Sequence, residues 1–260
     1  MDSIILYGFL GSLVAGVATA VGALPIFFGR GMSRKASDVL LGFSAGVMLA
    51  ASFFSLLIPG IEIAEAQFGG RAAAAGVAVI ASLMGFAFVL GLNEALPHEH
   101  FQKGYEGPAE EKAALAKVWL FVIAITIHNF PEGLSIGVGF GTGDIKDGLA
   151  LMTGISLQDI PEGLAVAVAL VGRGYDRRKA FFVAAMTGAV EPVAGLLGAT
   201  AVAVASTLLP WGLCFAAGAM LYVISHEIIP ETHRHGHERL ATVGLAVGLA
   251  LMMFLDVALG

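Results

Sequence analysis

The sequence predicts an all-α membrane protein, and three observations carry this prediction. The chain of 260 residues is 57% hydrophobic and 13% charged, with a mean hydropathy of +0.86, whereas a soluble domain carries about 25% charged residues. Apolar stretches of about 20 residues, the length that a helix needs to cross a bilayer, recur along the chain. The 35 glycines suit helices that pack closely within a membrane. We therefore expect a single transmembrane transport domain over residues 1–260.

Eight apolar stretches are predicted to span the membrane. They are Ile4–Phe28, Ala36–Ile58, Ala72–Asn93, Ala114–Gly139, Ile145–Val171, Arg178–Leu208, Pro210–Pro230 and Leu240–Leu255. Pro210 is expected to separate the sixth span from the seventh, because proline does not continue a helix well; the alternative is a seven-span protein in which these two are fused. The first stretch follows no basic segment, so it is interpreted as a retained span rather than a signal peptide.

The charges predict the orientation of the chain. Twelve of the 14 Lys and Arg residues fall in the connections after spans 1, 3, 5 and 7 or at the span ends that border them. Since Lys and Arg accumulate in cytoplasmic loops, these connections are expected in the cytosol and both termini outside it. The longest connection is the third, Leu96–Ala113. Nucleic acid is not expected as a partner, and the lone Cys214 excludes an intrachain disulfide or a multi-cysteine metal site.

The fourth and fifth spans carry related motifs. The first is His128-Asn129-Phe130-Pro131-Glu132-Gly133-Leu134, and the second is Gln158-Asp159-Ile160-Pro161-Glu162-Gly163-Leu164. Neighbouring spans run antiparallel, so a shared motif predicts an inverted pseudo-repeat, here of three, two and three helices (3+2+3), with a site near the membrane midplane. Residues spaced i, i+3 and i+4 share a helix face. Each copy therefore presents a polar stripe that ends in a glutamate.

These residues form a candidate ligand set for metal ions. With Glu191 of the sixth span, the set is His128, Asn129, Glu132, Gln158, Asp159, Glu162 and Glu191. One imidazole, two amides and four carboxylates, without a thiolate, suit Zn²⁺, Fe²⁺, Mn²⁺ or Cd²⁺. Ionised groups at membrane depth cost about 2.5–3.5 kcal/mol each, which a purely structural role does not explain. Four carboxylates would over-neutralise one divalent ion, so we expect two ions that share bridging carboxylates.

The two motifs resemble the signature of the ZIP (Zrt-, Irt-like protein) family of metal transporters, and they are most similar to the bacterial GufA-like branch. The resemblance implies two metal sites between the fourth, fifth and sixth spans. The transport site would use His128, Glu132, Gln158 and Glu162, with Met48 of the second span as a thioether neighbour. The second site would use Asn129, Glu132, Asp159, Glu162 and Glu191. The resemblance also implies uptake toward the cytosol, and a homodimer fits it.

Polar residues near the cytosolic side form a candidate exit path. They are His226, Glu227 and Glu231 at the end of the seventh span, His233 after it, and His98 and His100 in the third connection. A polar pair at the membrane interface, or solvated loop histidines, are the alternative interpretations. A metalloprotease HExxH motif is absent, because it would need histidine where Pro230 stands.

The predicted function is transport of a divalent transition metal into the cytosol across the cell membrane. Zinc is the first candidate, then cadmium, iron or manganese, each as a substrate rather than a catalytic cofactor. One alternative is a proton-linked carrier of an organic solute, since Asp, Glu and His chains also carry protons. The other is an intramembrane metal-dependent hydrolase, which the crowded ligand set disfavours because a catalytic zinc keeps three protein ligands and an open position.

Overall fold

The computed structural model describes residues 2–28, 33–95, 98–100, 104–106, 117–142, 144–172, 175–233 and 236–259. Its helices are α1 (Asp2–Ala23), α2 (Arg34–Ala50), α3 (Ile58–Phe68), α4 (Arg71–Ala95), α5 (Lys117–Gly139), α6 (Ile145–Gly172), α7 (Arg177–Thr187), α8 (Val190–Val204), α9 (Leu209–Val223), α10 (Ile229–Thr232) and α11 (Glu238–Leu259). Within these ranges the strands are β1 (His98–His100) and β2 (Gly104–Glu106), a short antiparallel hairpin in the predicted third connection. The helical fold class is thus confirmed.

Several helices continue into one another and form longer membrane-crossing segments. In the part of the chain that the structure describes, six segments are long and apolar enough to span a bilayer. They are Ser3–Phe28, Lys35–Phe68, Arg71–Ala95, Arg177–Val204, Ser206–Thr232 and Glu238–Ala258. Helices α5 and α6 have 23 and 28 residues and carry the two motifs. At 1.5 Å per residue they measure about 35 and 42 Å, which exceeds the apolar core of a bilayer, about 30 Å.

The second predicted span ends too early, because the structure continues it to Phe68, whereas the seventh ends at Thr232, close to its predicted end. Two π-helical turns, Ala51–Leu57 and Ile224–Ile228, lie within these spans. Each turn lies just ahead of a proline in the first turn of the next helix. A proline ring clashes with the preceding helical turn, and the wider π-helical turn lets the helix continue past it.

The sixth predicted span ends too late: the structure ends it at Val204, the last residue of α8, rather than at Leu208. Within the span, Gly188 and Ala189 separate α7 from α8. Ala205 is extended, with φ −137° and ψ 91°, and separates α8 from α9. Pro210 lies in the first turn of α9, where its missing N–H has no helical partner to lose. The sixth and seventh spans are therefore separate, and the fused alternative is wrong.

The helices pack as two groups. One group contains α1, α5, α6, α7 and α8, and the other contains α2, α3, α4, α9, α10 and α11. Contacts within each group are extensive, most of all between α2 and α11, α1 and α6, α4 and α9, and α5 and α8. Fewer contacts join the groups, chiefly α5 with α9 and α6 with α2 and α11. The repeated motif therefore lies at the boundary between the groups, on two helices of the first one.

The glycine of each motif marks a close approach between helix backbones. A Cβ atom at Gly133 would lie 2.5 Å from the Cα atom of Glu191 in α8. A Cβ atom at Gly163 would lie 2.8 Å from the carbonyl carbon of Thr19 in α1. Small residues allow this contact in membrane helices. The motif glycines therefore allow α5 to pack directly on α8, and α6 on α1. Each glycine directly follows the glutamate of its motif.

Gly133→Ala is expected to destabilise the protein, because the added methyl group would overlap the backbone at Glu191. Overpacking of this kind costs about 1–3 kcal/mol. The matched control is Gly76→Ala in α4, where an added Cβ meets nothing within 4 Å and alanine is the better helix former. Thermal unfolding in detergent should show a lower midpoint for Gly133→Ala and an equal or higher one for Gly76→Ala. Equal midpoints for both variants would contradict the close packing of α5 on α8.

Candidate metal centre

Three helices bring the predicted ligands together. α5 carries His128, Asn129 and Glu132 on one face, α6 carries Gln158, Asp159 and Glu162, and α8 carries Glu191. Because α5 packs on both α6 and α8, these side chains meet inside the helical bundle. All seven side chains are buried, each residue being at most 3% exposed. The structure thus brings together the whole polar set predicted from the motifs and Glu191.

The break between α7 and α8 places Glu191 in the first turn of a helix. Gly188 and Ala189 keep helical dihedral angles, and the Glu191 N–H donates to the Gly188 carbonyl at 3.2 Å. Pro192 follows in the first turn of α8, where proline is tolerated. The two short segments therefore continue as one distorted span that carries Glu191 near its middle.

The centre is built around three carboxylates. One oxygen each from Glu132, Asp159 and Glu162 lie within 4.8 Å of one another. The Gln158 amide donates a hydrogen bond to Oε1 of Glu132, which links α6 to α5. The Asn129 amide donates to Oε1 of Glu191 at 3.3 Å, which links α5 to α8. The two amides therefore orient two of the four carboxylates.

Most oxygens of the centre lack a hydrogen-bond donor among the described residues. These atoms are Oδ1 of Asn129, Oε2 of Glu132, Oε1 of Gln158, both carboxylate oxygens of Asp159, both of Glu162, and Oε2 of Glu191. No described ion pair joins these carboxylates to Lys or Arg. A buried acceptor without a donor is costly, and an unpaired buried charge is costlier still. The donor set has the chemistry that divalent cations prefer, so the residues present fit bound metal ions.

His128 lies at the edge of this centre rather than within the trio. Its Nε2 atom is 2.8 Å from Oε2 of Glu227, and both side chains are buried. Asn93 of α4 donates from Nδ2 to Oε1 of Glu227 at 3.2 Å and to the Tyr222 hydroxyl at 2.9 Å. Glu227 lies in the second π-helical turn. Asn93 and Tyr222 were not predicted, because no motif or spacing in the sequence relates α4 to α9.

Met48 is completely buried in the apolar cluster that also contains Ile127, the neighbour of His128. One turn earlier on α2, the Ser44 hydroxyl donates to the Gln158 carbonyl at 3.4 Å. This contact places the Met48 face of α2 against the motif of α6. A thioether contact between Met48 and a metal ion stays a prediction.

The structure describes the side chains of four of the six candidate exit residues. Glu227 and Glu231 are buried, and the His226 ring lies 4.9 Å from the Tyr222 ring between centroids. His233 is held at the end of α10, where its Nδ1 atom lies 2.8 Å from the Thr232 hydroxyl and 2.9 Å from the Ile229 carbonyl. The side chains of His98 and His100 lie outside the described residues. Their part in an exit path therefore stays a prediction.

The fold and the buried acidic centre define a multi-pass membrane protein with a centre suited to cations. A model of the ZIP zinc transporter family matches residues 96–256. The chain is 48% identical to the zinc transporter GufA of Myxococcus xanthus, over 97% of this chain and 99% of that protein. It is 48% identical to the zinc transporter ZIPB of Bordetella bronchiseptica, over 98% and 82%, and 34% identical to human zinc transporter ZIP11, over 96% of each.

The chain belongs to the ZIP family of metal transporters. The resemblance carried by the two motifs, including that to the GufA-like branch, is thereby confirmed. So are metal-ion transport as the general function and the cell membrane as the location of this multi-pass protein. Metal ions are accordingly the substrate, and the relatives are named as transporters rather than enzymes.

Divalent metal should stabilise the protein through the carboxylate trio. Binding to the folded state adds about 2.7 kcal/mol at 100 times the dissociation constant, so Zn²⁺ or Cd²⁺ should raise the thermal midpoint of the wild type. Glu162→Gln should reduce this rise, and without metal its midpoint should exceed that of the wild type because one repelling charge is gone. Glu62→Gln in α3, at an exposed position, is the matched control. A metal-induced rise retained in Glu162→Gln would contradict the assignment.

Proposed function

We propose that the protein carries divalent transition metal ions, zinc foremost and also cadmium, iron or manganese, across the membrane into the cytosol. The supporting observation is the set of buried oxygens on Glu132, Asp159, Glu162 and Glu191 for which the described part of the chain supplies no hydrogen-bond donor. The zinc transporters to which the chain is similar point to the same substrate. The enrichment of Lys and Arg in alternate connections supports the cytosolic orientation of those connections.

The proposed topology has eight membrane-spanning segments with both termini outside the cytosol. The six apolar segments together with α5 and α6 give this number. α5 and α6 are consecutive, long, and carry the same motif around Pro131 and Pro161. These features support an inverted 3+2+3 pseudo-repeat whose site lies at the repeat interface. A homodimer is part of the proposal on the strength of the family resemblance alone.

Two ions in adjacent sites account for the charge of the centre. The four carboxylates carry four negative charges when ionised, and two divalent ions would neutralise them. In this arrangement Glu132 and Glu162 bridge the ions. His128 and Gln158 complete the transport site, with Met48 beside it, while Asn129, Asp159 and Glu191 complete the second site. The hydrogen bond between Asn129 and Glu191 supports the grouping of these two residues.

The metal centre lies on one of the two helix groups, which suggests how an ion reaches both sides of the membrane. In transporters with inverted repeats, one bundle moves against the other around the bound substrate. Here the first group holds Glu132, Asp159, Glu162 and Glu191, and fewer contacts join it to the second group. An ion sheds water as these oxygens replace its hydration shell. It then leaves along Glu227, Glu231, His226 and the loop histidines His98, His100 and His233.

Uptake of labelled Zn²⁺ and Cd²⁺ into proteoliposomes tests the proposed function. Saturable uptake by the wild type is expected. The uptake rate should fall at least about 100-fold in Glu132→Gln and in Glu162→Gln, because each glutamate would ligate both ions. Breaking a buried charged interaction costs about 3–5 kcal/mol. Glu62→Gln should transport like the wild type. Normal uptake by both site variants would show that the transport site lies elsewhere in the protein. A well-folded wild type without uptake of any divalent ion would refute metal transport and favour a proton-linked carrier.

The number of bound ions tests the binuclear arrangement separately. Titration calorimetry with Cd²⁺ should give two ions per wild-type chain. Asp159→Asn and Glu191→Gln should each give one ion, because both residues belong to the second site alone and leave the transport site intact. A single ion in the wild type, or loss of both ions in these variants, would contradict two sites.

A further inference from the structure

We propose that Asn93 is a positioning residue for transport: it holds Glu227 against His128, so that Glu227 competes with the metal ion for the His128 imidazole. This inference rests on the proposed function and adds a step to it. Neither Asn93 nor Tyr222 is part of the predicted ligand set. Both are buried and connect that set to the second group of helices.

The packing of α4 on α9 explains how Asn93 reaches Glu227. A Cβ atom at Gly218 of α9 would lie 2.6 Å from the carbonyl carbon of Ser82 in α4, so the two backbones are in contact. Further along α4, the Asn93 amide reaches Tyr222 and Glu227 at 2.9 and 3.2 Å. The π-helical turn Ile224–Ile228 displaces Glu227 from regular α-helical register. The carboxylate is therefore held from one side by Asn93 and pairs with His128 on the other.

The position of His128 favours competition over cooperation. A histidine that ligates a metal often donates its second ring nitrogen to a carboxylate, which strengthens the metal bond. In that case one imidazole nitrogen would join the carboxylate trio while the other faced Glu227. The trio of mutually close oxygens contains Glu132, Asp159 and Glu162 but not His128. Nε2 of His128 instead lies 2.8 Å from Glu227. A metal ion that binds the imidazole through Nε2 must therefore displace Glu227 from this atom.

The consequence is an exchange of partners across the boundary between the two groups. His128 belongs to the first group, whereas Glu227 and Asn93 belong to the second. When the ion takes the imidazole, the pair that joins the groups opens. When Glu227 recaptures the imidazole, the ion loses a ligand and its release becomes easier. Asn93 sets the strength of this competition because it keeps the Glu227 carboxylate in place.

Asn93→Ala is expected to tighten metal binding and slow transport. Because the Glu227 carboxylate would no longer be held against His128, the dissociation constant for Cd²⁺ in detergent should fall about tenfold, which is about 1.4 kcal/mol. In proteoliposomes both KM and the maximal rate of Zn²⁺ uptake should fall, because the ion is held longer. A merely structural role would lower the rate without tightening binding. Gln67→Ala, which removes an exposed amide donor to the Ser206 carbonyl, is the control and should behave like the wild type.

The effect of Asn93 should pass through His128. In a double-mutant cycle, Asn93→Ala should have no further effect on Cd²⁺ affinity when His128→Gln is already present. If Asn93→Ala fails to fold, Glu227→Gln keeps the side-chain shape, weakens the pair and should show the same fall in dissociation constant and rate. Weaker Cd²⁺ binding in either variant would overturn the inference in favour of a carboxylate that orients His128 for metal.

The outcomes separate this inference from the proposed function. If the wild type neither binds Cd²⁺ nor takes up Zn²⁺, metal transport itself is refuted. If the wild type transports Zn²⁺ and Asn93→Ala leaves the dissociation constant, KM and maximal rate unchanged, only the role of Asn93 is refuted. The inference is also overturned if the effect of Asn93→Ala persists in the His128→Gln background.

Discussion

The organisation of this protein depends on four carboxylates that are buried together. In the described part of the chain, none of them forms an ion pair with Lys or Arg. When ionised, Glu132, Asp159, Glu162 and Glu191 repel one another, and most of their oxygens receive no hydrogen bond from the residues that the structure describes. Such a cluster is unfavourable in a membrane unless cations offset its charge. The two amides, from Asn129 and Gln158, orient part of the cluster but leave most of its oxygens available.

The helix architecture serves to place these groups at one point. Two motif prolines lie within continuous helices, and the motif glycines bring the neighbouring backbones into contact beside the glutamates. The distorted span of α7 and α8 carries Glu191 near its middle. The α4–α9 pair supplies a second polar set, which reaches the first through the pair of His128 and Glu227. In the proposed mechanism, binding and release of an ion are thereby connected to contacts between the two helix groups.

The sequence predicted the parts of this arrangement that follow from local pattern. The positions of the candidate ligands on α5 and α6 followed from helical spacing. Glu191 was found as a carboxylate beside a proline in an apolar segment. Helix ends were less predictable, because the π-helical turns ahead of Pro59 and Pro230 depend on backbone adjustments that apolar content does not reveal. The contact of Asn93 with Glu227 joins residues 134 positions apart. It depends on how α4 packs against α9, and no local pattern encodes it.

The central claim is that the four carboxylates bind the transported ions. Anomalous diffraction from crystals of the wild-type protein grown with Cd²⁺ tests it most directly, because the anomalous signal locates the ions independently of any assumed ligand. The account predicts two peaks between α5, α6 and α8, bounded by Glu132, Asp159, Glu162 and Glu191. Cd²⁺ bound only at other positions, with this centre lacking anomalous signal at saturating metal, would contradict it.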